Sequence, residues 1–318
     1  MQILLAGGAG FVGSHLTDAL IHKGHDVIVV DNLEKGRLEN IAHHIGKENF
    51  EFIKKDIREF NEEIKPDVIV NLVASKIPRY SSGLKTLTLN VEVGRYLLEL
   101  AKKSHARYIL ISTSDVYGKS KDFPLKEDGD LVLGPTTSRR WTYAVSKIYN
   151  EHLALAYMDE YGTYVSILRY FGIYGPRQHL NWWGGPIGVF IDAIYNGREV
   201  EIHGDGSQKR SFIFIEDVVK ATVNVIERND LKGEIINIGT NEEISILELA
   251  RLIGMLLDTN IKPKFIPYKN FSPNYEDPKR RIGSIEKAQS LLNFKPEFNL
   301  KKGLEKTIAW YKKLKKEG

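Results

Sequence analysis

The stretch "QILLAGGAGFVGSHLTDAL" (2–20) decides the fold. An apolar run ends at Ala6, glycines follow at 7, 10 and 13, and a helical apolar pattern begins inside the motif. Each glycine has a physical task. Gly7 permits a tight turn, Gly10 lets backbone N–H groups approach a pyrophosphate, and Gly13 lets a helix pack close to the strand. Phe11 and Val12 open that helix, whose N-terminus offers free donors and the positive end of its dipole. A second apolar run, "DVIVVD" (26–31), places Asp31 at its end, with Asn32 next. A carboxylate there accepts hydrogen bonds from an adenosine ribose diol and repels a 2′-phosphate. The pattern therefore predicts NAD rather than NADP.

Working outward, further strands are predicted at 50–56, 68–74, 107–113 and 165–171, with helices at 11–22, 90–104 and 143–161. Continuous, β-branched strands alternating with helices argue for a parallel sheet covered on both faces. The predicted fold is α/β: a doubly wound Rossmann domain over 1–170 and a smaller C-terminal α/β substrate lobe over 171–318. The chain is expected to return to the first domain around 210–240. In the second half, 185–197 reads as a helix and 211–228 as a strand leading into a helix. Residues 234–239 read as a strand, and 245–257 as a helix opened by a Ser245/Glu248 capping box. Asp56 and Ile57, after the third strand, are placed to meet an adenine edge and face. Leu72 and Ala74, after the fourth, are placed along the cofactor's path. Asn90 reads equally as a helix cap or a cofactor contact.

Composition excludes several classes. The 318 residues carry a net charge of +4, 42% hydrophobic and 27% charged side chains, and no cysteine. Disulfides and thiolate metal sites are thereby excluded. The nine histidines show no zinc spacing, so no metal is expected. The mild, scattered positive charge predicts no nucleic-acid partner. No apolar run is long enough for a membrane span, and a cytoplasmic location is expected.

Four Tyr-x-x-x-Lys pairs occur, at 117/121, 143/147, 275/279 and 311/315. The last lies on a polar C-terminal helix and reads as a solvated face. Pro278 interrupts the third, and the first sits in a loop after a strand. Only Tyr143/Lys147 opens an amphipathic helix, where i and i+4 share a face. A phenol titrates near 10, too high for a base at neutral pH. A neighbouring ammonium favours the phenolate, which then takes a hydroxyl proton as hydride leaves.

The glycine motif, Asp31, "STSDVYG" (112–118) and "YAVSK" (143–147), in this order, resemble the extended short-chain dehydrogenase/reductase family. The nearest branch is the NAD-dependent sugar-nucleotide epimerases and dehydratases, closest to the UDP-glucose 4-epimerases. The resemblance extends through "LRYFGIYGPRQ" (168–178), "GDGSQKRSFIFIEDVV" (204–219) and "DPKRRIGSIEKAQSLLNFKP" (277–296). It implies Tyr143 as catalytic base, Lys147 as its partner and Thr113 as the hydroxyl donor. It also implies NAD as cofactor and a UDP-sugar as substrate. Arg210, with Arg281 or Arg280, would bind the diphosphate, and Arg177 falls in the substrate stretch. A homodimer through helices near 90–104 and 147–161 is expected, since Ile148, Leu153, Leu155 and Tyr157 lie on more than one side.

Within the family, the residues after the catalytic hydroxyl separate the reactions. Dehydratases carry Asp-Glu there; this chain has Ser114-Asp115, and serine does not serve as that acid. Decarboxylases of UDP-glucuronate usually carry Ser-Glu, one methylene longer than Asp115. The leading expectation is 4-epimerisation of a UDP-glucose/UDP-galactose type substrate through a 4-keto intermediate. UDP-glucuronate epimerisation or decarboxylation is the alternative, and a non-catalytic NAD sensor the second. Gly172 departs from the family's asparagine, which touches the substrate diphosphate. Trp182-Trp183 read as a stacking platform or as packing. Arg139-Arg140 read as a solvated pair or, through Arg140, as a partner for a sugar carboxylate.

Overall fold

The computed structural model describes residues 1–76, 82–271 and 275–317. Six strands, β1 (Gln2–Ala6), β2 (Asp26–Val30), β3 (Phe50–Ile53), β4 (Val68–Asn71), β5 (Arg107–Thr113) and β6 (Val165–Tyr170), alternate with α1 (Phe11–His22), α2 (Gly83–Ser104) and α3 (Thr142–Tyr161). There follow β7 (Gly172–Tyr174), α4 (Pro186–Tyr195), β8 (Val200–His203), β9 (Lys209–Arg210), β10 (Phe212–Phe214), α5 (Ile215–Glu227) and β11 (Ile235–Ile238). The chain ends with β12 (Ile244–Ser245), α6 (Ile246–Leu256), β13 (Pro263–Ile266), β14 (Arg280–Arg281), α7 (Glu286–Leu292) and α8 (Leu300–Glu317).

The main sheet has seven strands in the order β11-β6-β5-β4-β1-β2-β3, and every pair is parallel. The strand order reverses between β1 and β4, which opens a crevice at the carboxyl edge. The apolar strands are buried on both faces. Leu4, Ala6, Ile69 and Leu110 pack under α2 and α3. Ile3, Leu5, Val70 and Ile109 pack under α1 and α5, with Leu16 and Leu20 fully buried. Each such leucine contributes about 1.5–3 kcal/mol on burial. β11 brings the chain back to β6 after the excursion through β7–β10. The remaining strands form small sheets. In one of them β9 lies between β12 and β14, with Arg210 and Arg281 as register partners.

The Ser245/Glu248 capping box is present at the start of α6. α2 begins seven residues earlier than its periodicity predicts, because Ser82 caps it by accepting from the Lys85 amide. Asn90 is therefore interior to the helix. Tyr311 also departs from expectation: its ring is buried against Tyr195, and its hydroxyl donates to Asp192 at 2.6 Å. No helix among the described residues is long and apolar enough to cross a membrane.

Of the residues expected at a dimer face, Ile148, Leu153 and Leu155 are half-buried and Tyr157 is buried. Leu153, Leu155 and Tyr157 pack against the core beneath α2 and α3, and Ile148 packs near Phe171. The exposed apolar residues of α3 are Val145, Tyr149 and Tyr161.

Candidate active site

A cavity of about 500 Å³ runs along the carboxyl edge of the sheet. Gly7, Gly10, Phe11, Val12, Gly13, Asp31, Asn32, Asp56, Ile57, Leu72 and Ala74 line one end. Thr113, Ser114, Asp115, Arg140, Tyr143, Lys147, Gly172, Arg210 and Arg281 line the other.

The first end fits a dinucleotide. Gly7 adopts φ +88°, and a Cβ on Gly13 would lie 2.3 Å from the Gly7 carbonyl, so the turn requires glycine at both. α1 has no side-chain cap, which leaves the amides of its first turn for an anion. Asp31 is buried, accepts from the Ala9 and Leu33 amides at 3.1 and 2.9 Å, and lines the cavity. Burial raises its carboxyl above the ordinary range, and the two amides oppose that rise. Asp56 caps a short turn and is held by the Arg58 guanidinium, which pulls its carboxyl down.

At the second end, helix and strand cooperate. Tyr143 and Lys147 sit on one buried face of α3, against the end of β5. Lys147 donates to the Ile111 carbonyl at 2.8 Å. Thr113, the last residue of β5, lines the cavity beside Tyr143 and acts to lower its phenol pKa. Burial, with Asp115 adding to it, raises the Tyr143 phenol well above its ordinary value; Thr113 and Arg281 act in the opposite direction. Lys147 is not among the groups that lower it, contrary to the expectation from the pair alone. Burial pulls Lys147 itself down to about 8, with Glu151 opposing.

A buried chain of charge surrounds this couple. Asp115 Oδ1 accepts from Arg140 Nη2 at 2.7 Å and from Arg281 Nη1. Asp277 accepts from Arg140 Nε at 2.9 Å and from Arg210 Nη2 at 3.2 Å. Burial opposes charge on Asp115, yet the Arg281 and Arg140 guanidinium groups hold its carboxyl well below the carboxylate range. Burial lowers Arg210 to about 10, with Asp277 acting against the drop. Of the adjacent arginines, Arg139 is exposed and Arg140 is only 5% exposed, so the solvated reading holds for the first and fails for the second. Arg281 faces the cavity, whereas Arg280 faces Glu243 at 2.7 Å.

Two expected contacts are not on the cavity. Asn90 is buried and spends its side chain on the Ser75 amide and carbonyl and on Ser146 Oγ, at 2.7, 3.0 and 2.9 Å. It fixes the segment after β4 instead of touching a cofactor. Arg177 turns to Asp18, 2.7 Å away on α1. That Asp18 lies with His43 and His44 in a group able to hold a metal ion. Lys47 donates to His44 Nδ1 at 2.9 Å, which leaves His44 Nε2 as a donor to Asp18. The group is thus satisfied as a hydrogen-bonded carboxylate.

Gly172 lines the cavity, and a Cβ there would lie 2.8 Å from the Ser211 carbonyl. The strand pairing of β7 with β10 leaves no room for the family's asparagine. Gly172→Asn is expected to destabilise the fold by about 1–3 kcal/mol, read as a lowered Tm; an unchanged Tm contradicts this packing. Trp182 stacks on His203 at 3.9 Å, and Lys35 lies 4.6 Å over Trp183. Both tryptophans line the cavity and pack against its walls.

Lys76 and Asp277 line the cavity and escaped the sequence reading. Lys76 directly follows the "NLVAS" strand end, and Asp277 opens the "DPKRR" stretch. Position after a strand end is the signal that points to the former; nothing local marks the latter.

A model of the NAD dependent epimerase/dehydratase family matches residues 3–239. A UDP-N-acetyl-alpha-D-glucosaminuronate decarboxylase of Bacillus cytotoxicus is 35% identical over 323 residues, covering 99% of each chain. UDP-glucuronic acid decarboxylase 1 of Danio rerio is 38% identical over 312 residues, covering 98% of this chain and 72% of that one. The crystal structure of a UDP-glucuronic acid 4-epimerase from Bacillus cereus, in complex with UDP-glucuronic acid and NAD, superposes with a TM-score of 0.88. It is 31% identical and covers 99% of this chain and 100% of that one. The decarboxylase relatives overturn the expectation of a UDP-glucose/UDP-galactose type 4-epimerase. With the glycine cradle, Asp31 and the Thr113/Tyr143/Lys147 set in place, the chain belongs to the NAD dependent epimerase/dehydratase family of enzymes.

Proposed function

We propose that the chain decarboxylates a UDP-hexuronic acid of the UDP-glucuronate class, using NAD. The observation that carries this reading is Arg140: its guanidinium is buried in the cavity and converges with Arg281 on a carboxylate, Asp115. Guanidinium forks suit carboxylates and diphosphates because they bond them bidentately. A neutral sugar offers no anion at that position, whereas a uronate does.

The residues divide the work as follows. Arg210 anchors the diphosphate, and Arg140 with Arg281 holds the sugar carboxylate. Tyr143, next to Thr113, takes the C4 hydroxyl proton as its phenolate, a form that the positive nicotinamide ring of bound NAD would favour against the upward pull of burial. Bound NAD supplies the hydride acceptor and later the hydride donor, so the cofactor is regenerated in each cycle. Lys147 holds its charge beside Tyr143. Oxidation at C4 makes the sugar a β-keto acid. The C5–C6 bond then breaks, its electron pair moves to the C4 oxygen as an enolate, and carbon dioxide leaves. A proton from solvent added at C5 restores the ketone, and Tyr143 returns its proton to O4 as hydride comes back to C4 and the alcohol re-forms. Asp115 keeps both guanidinium groups pointed at the sugar end. For the assembly we propose a homodimer through the exposed Val145 and Tyr149 face of α3.

The test is carbon-14 dioxide release from UDP-glucuronate labelled at C6, with no NAD added to the purified protein. UDP-2-acetamido-2-deoxyglucuronate is run in parallel. Carbon dioxide and a UDP-pentose are expected from at least one. Interconversion with the C4 epimer and no carbon dioxide sinks the reading.

A further inference from the structure

Tyr143, Lys147 and Glu151 form one i, i+4, i+8 row on α3, and all three are buried. Glu151 is 4% exposed and lies outside the cavity lining, so neither substrate nor cofactor reaches it. Its carboxylate is nonetheless fully engaged. Ser112 Oγ donates to Oε1, and Arg169 donates from Nε to both oxygens at 3.2 Å and from Nη2 to Oε2 at 2.7 Å. Ser112 and Arg169 face each other directly across β5 and β6. Arg169 also donates to the Tyr117 hydroxyl at 3.0 Å, which donates onward to Asn237 at 2.7 Å. The strand end is thus matched to the helix: Ile111 takes Lys147, Ser112 takes Glu151, and Thr113 lies beside Tyr143.

Burying an ion pair costs more in desolvation than well-packed apolar side chains of similar volume, so stability gives little reason for Glu151 and Arg169 at this place. We infer that Glu151 is a positioning residue, which sets the charge of Lys147 from beneath the active site. The geometry supports this in two ways. The carboxylate is one helical turn below the ammonium, in a water-poor layer. Its own orientation is fixed by Ser112 and Arg169, so it has no freedom to swing away. Consistently, Glu151 is the charge that opposes the downward pull of burial on Lys147. Among the described residues, the other charged or titratable groups near the couple include Tyr143 on α3, Arg169 on β6, Tyr117 and Asp115 after β5, Arg140 before α3 and Arg281 on β14.

Lys147 loses its charge as pH rises through its pKa, and Glu151 raises that pKa. Removing the carboxylate charge therefore moves the loss to lower pH. In Glu151→Gln, both the alkaline limb of turnover and the titration of Lys147 itself are expected to shift acid by about one pH unit. The titration is followed by NMR of enzyme carrying carbon-13 at lysine Cε, with the Lys147 resonance assigned by its loss in Lys147→Met. Glu151→Asp should recover part of the shift. Glu151→Gln leaves Arg169 buried without its partner, so Glu151→Gln/Arg169→Gln is measured beside it; the same direction with a smaller shift is expected. A Lys147 titration unchanged in both variants overturns the inference. The turnover arm rests on the decarboxylase reading, and the NMR arm does not. If wild-type enzyme releases no carbon dioxide at any pH, that reading fails while the NMR titration still decides the role of Glu151.

Discussion

Tyr143→Phe should lower carbon dioxide release from UDP-glucuronate by about a thousandfold or more, with fold and NAD content unchanged. General acid–base catalysis by one side chain contributes typically 10²–10⁴-fold, and here the same hydroxyl serves twice, taking the C4 proton and returning it. The phenylalanine ring fills the same buried space. Losing the hydroxyl's interaction with Thr113 costs about 1 kcal/mol. Single-turnover absorbance at 340 nm checks where the defect lies: no NADH should form even transiently. Activity within tenfold of wild type would remove Tyr143 from the chemistry. A variant that oxidises C4 normally and stalls only afterwards would remove Tyr143 from the first proton transfer and leave it only the second.

Arg140→Gln is the second large effect, and it discriminates between ligands. The variant should lose kcat/KM for UDP-glucuronate by roughly two to three orders of magnitude, as expected when one partner of a buried charge pair is removed. UDP itself, which has no carboxylate, should bind within about threefold of wild type, measured by calorimetry. Arg140→Lys keeps a charge without the planar fork, so it should fall between the two. The change also leaves Asp115 and Asp277 short of a buried partner, which costs stability. Affinity and Tm are therefore read on the same preparation. Equal losses for UDP and UDP-glucuronate would mean that Arg140 only braces the cavity wall.

Lys147 gives the pH dependence its sign. Its pKa is lowered to about 8 by burial, so the charged form prevails below that value and is lost above it. Turnover is expected to decline as pH rises past about 8. Tyr143 is shifted the other way, raised by burial and by Asp115.

Much of the fold and the core of the site are legible in sequence, because both rest on local signals. The glycine turn, the helix behind it and Asp31 lie within thirty-one residues, and each follows from backbone geometry at that place. Tyr143 and Lys147 are found by a helical period and by the strand end that precedes them. The short sheet that sets Arg210 beside Arg281 leaves no periodic trace, since two residues per strand have no period to read. Packing also removed choices that sequence left open. Ser82 made Asn90 an interior residue that braces the segment after β4, and Asp18 drew Arg177 away from the cavity.

What the sequence by itself determined is the Rossmann architecture, the glycine turn with Asp31, and the placing of Tyr143 and Lys147 on one helix face, all built from neighbours in the chain. What only the tertiary structure decided is which charges are buried. Arg139 and Arg140 are adjacent, alike and locally indistinguishable, yet one faces water and the other the cavity. The difference lies in Asp115 and Asp277, 25 and 137 residues away, which lie against the Arg140 guanidinium and compensate its loss of water. Burial of a charge depends on partners brought together by the fold, which no local stretch of sequence contains.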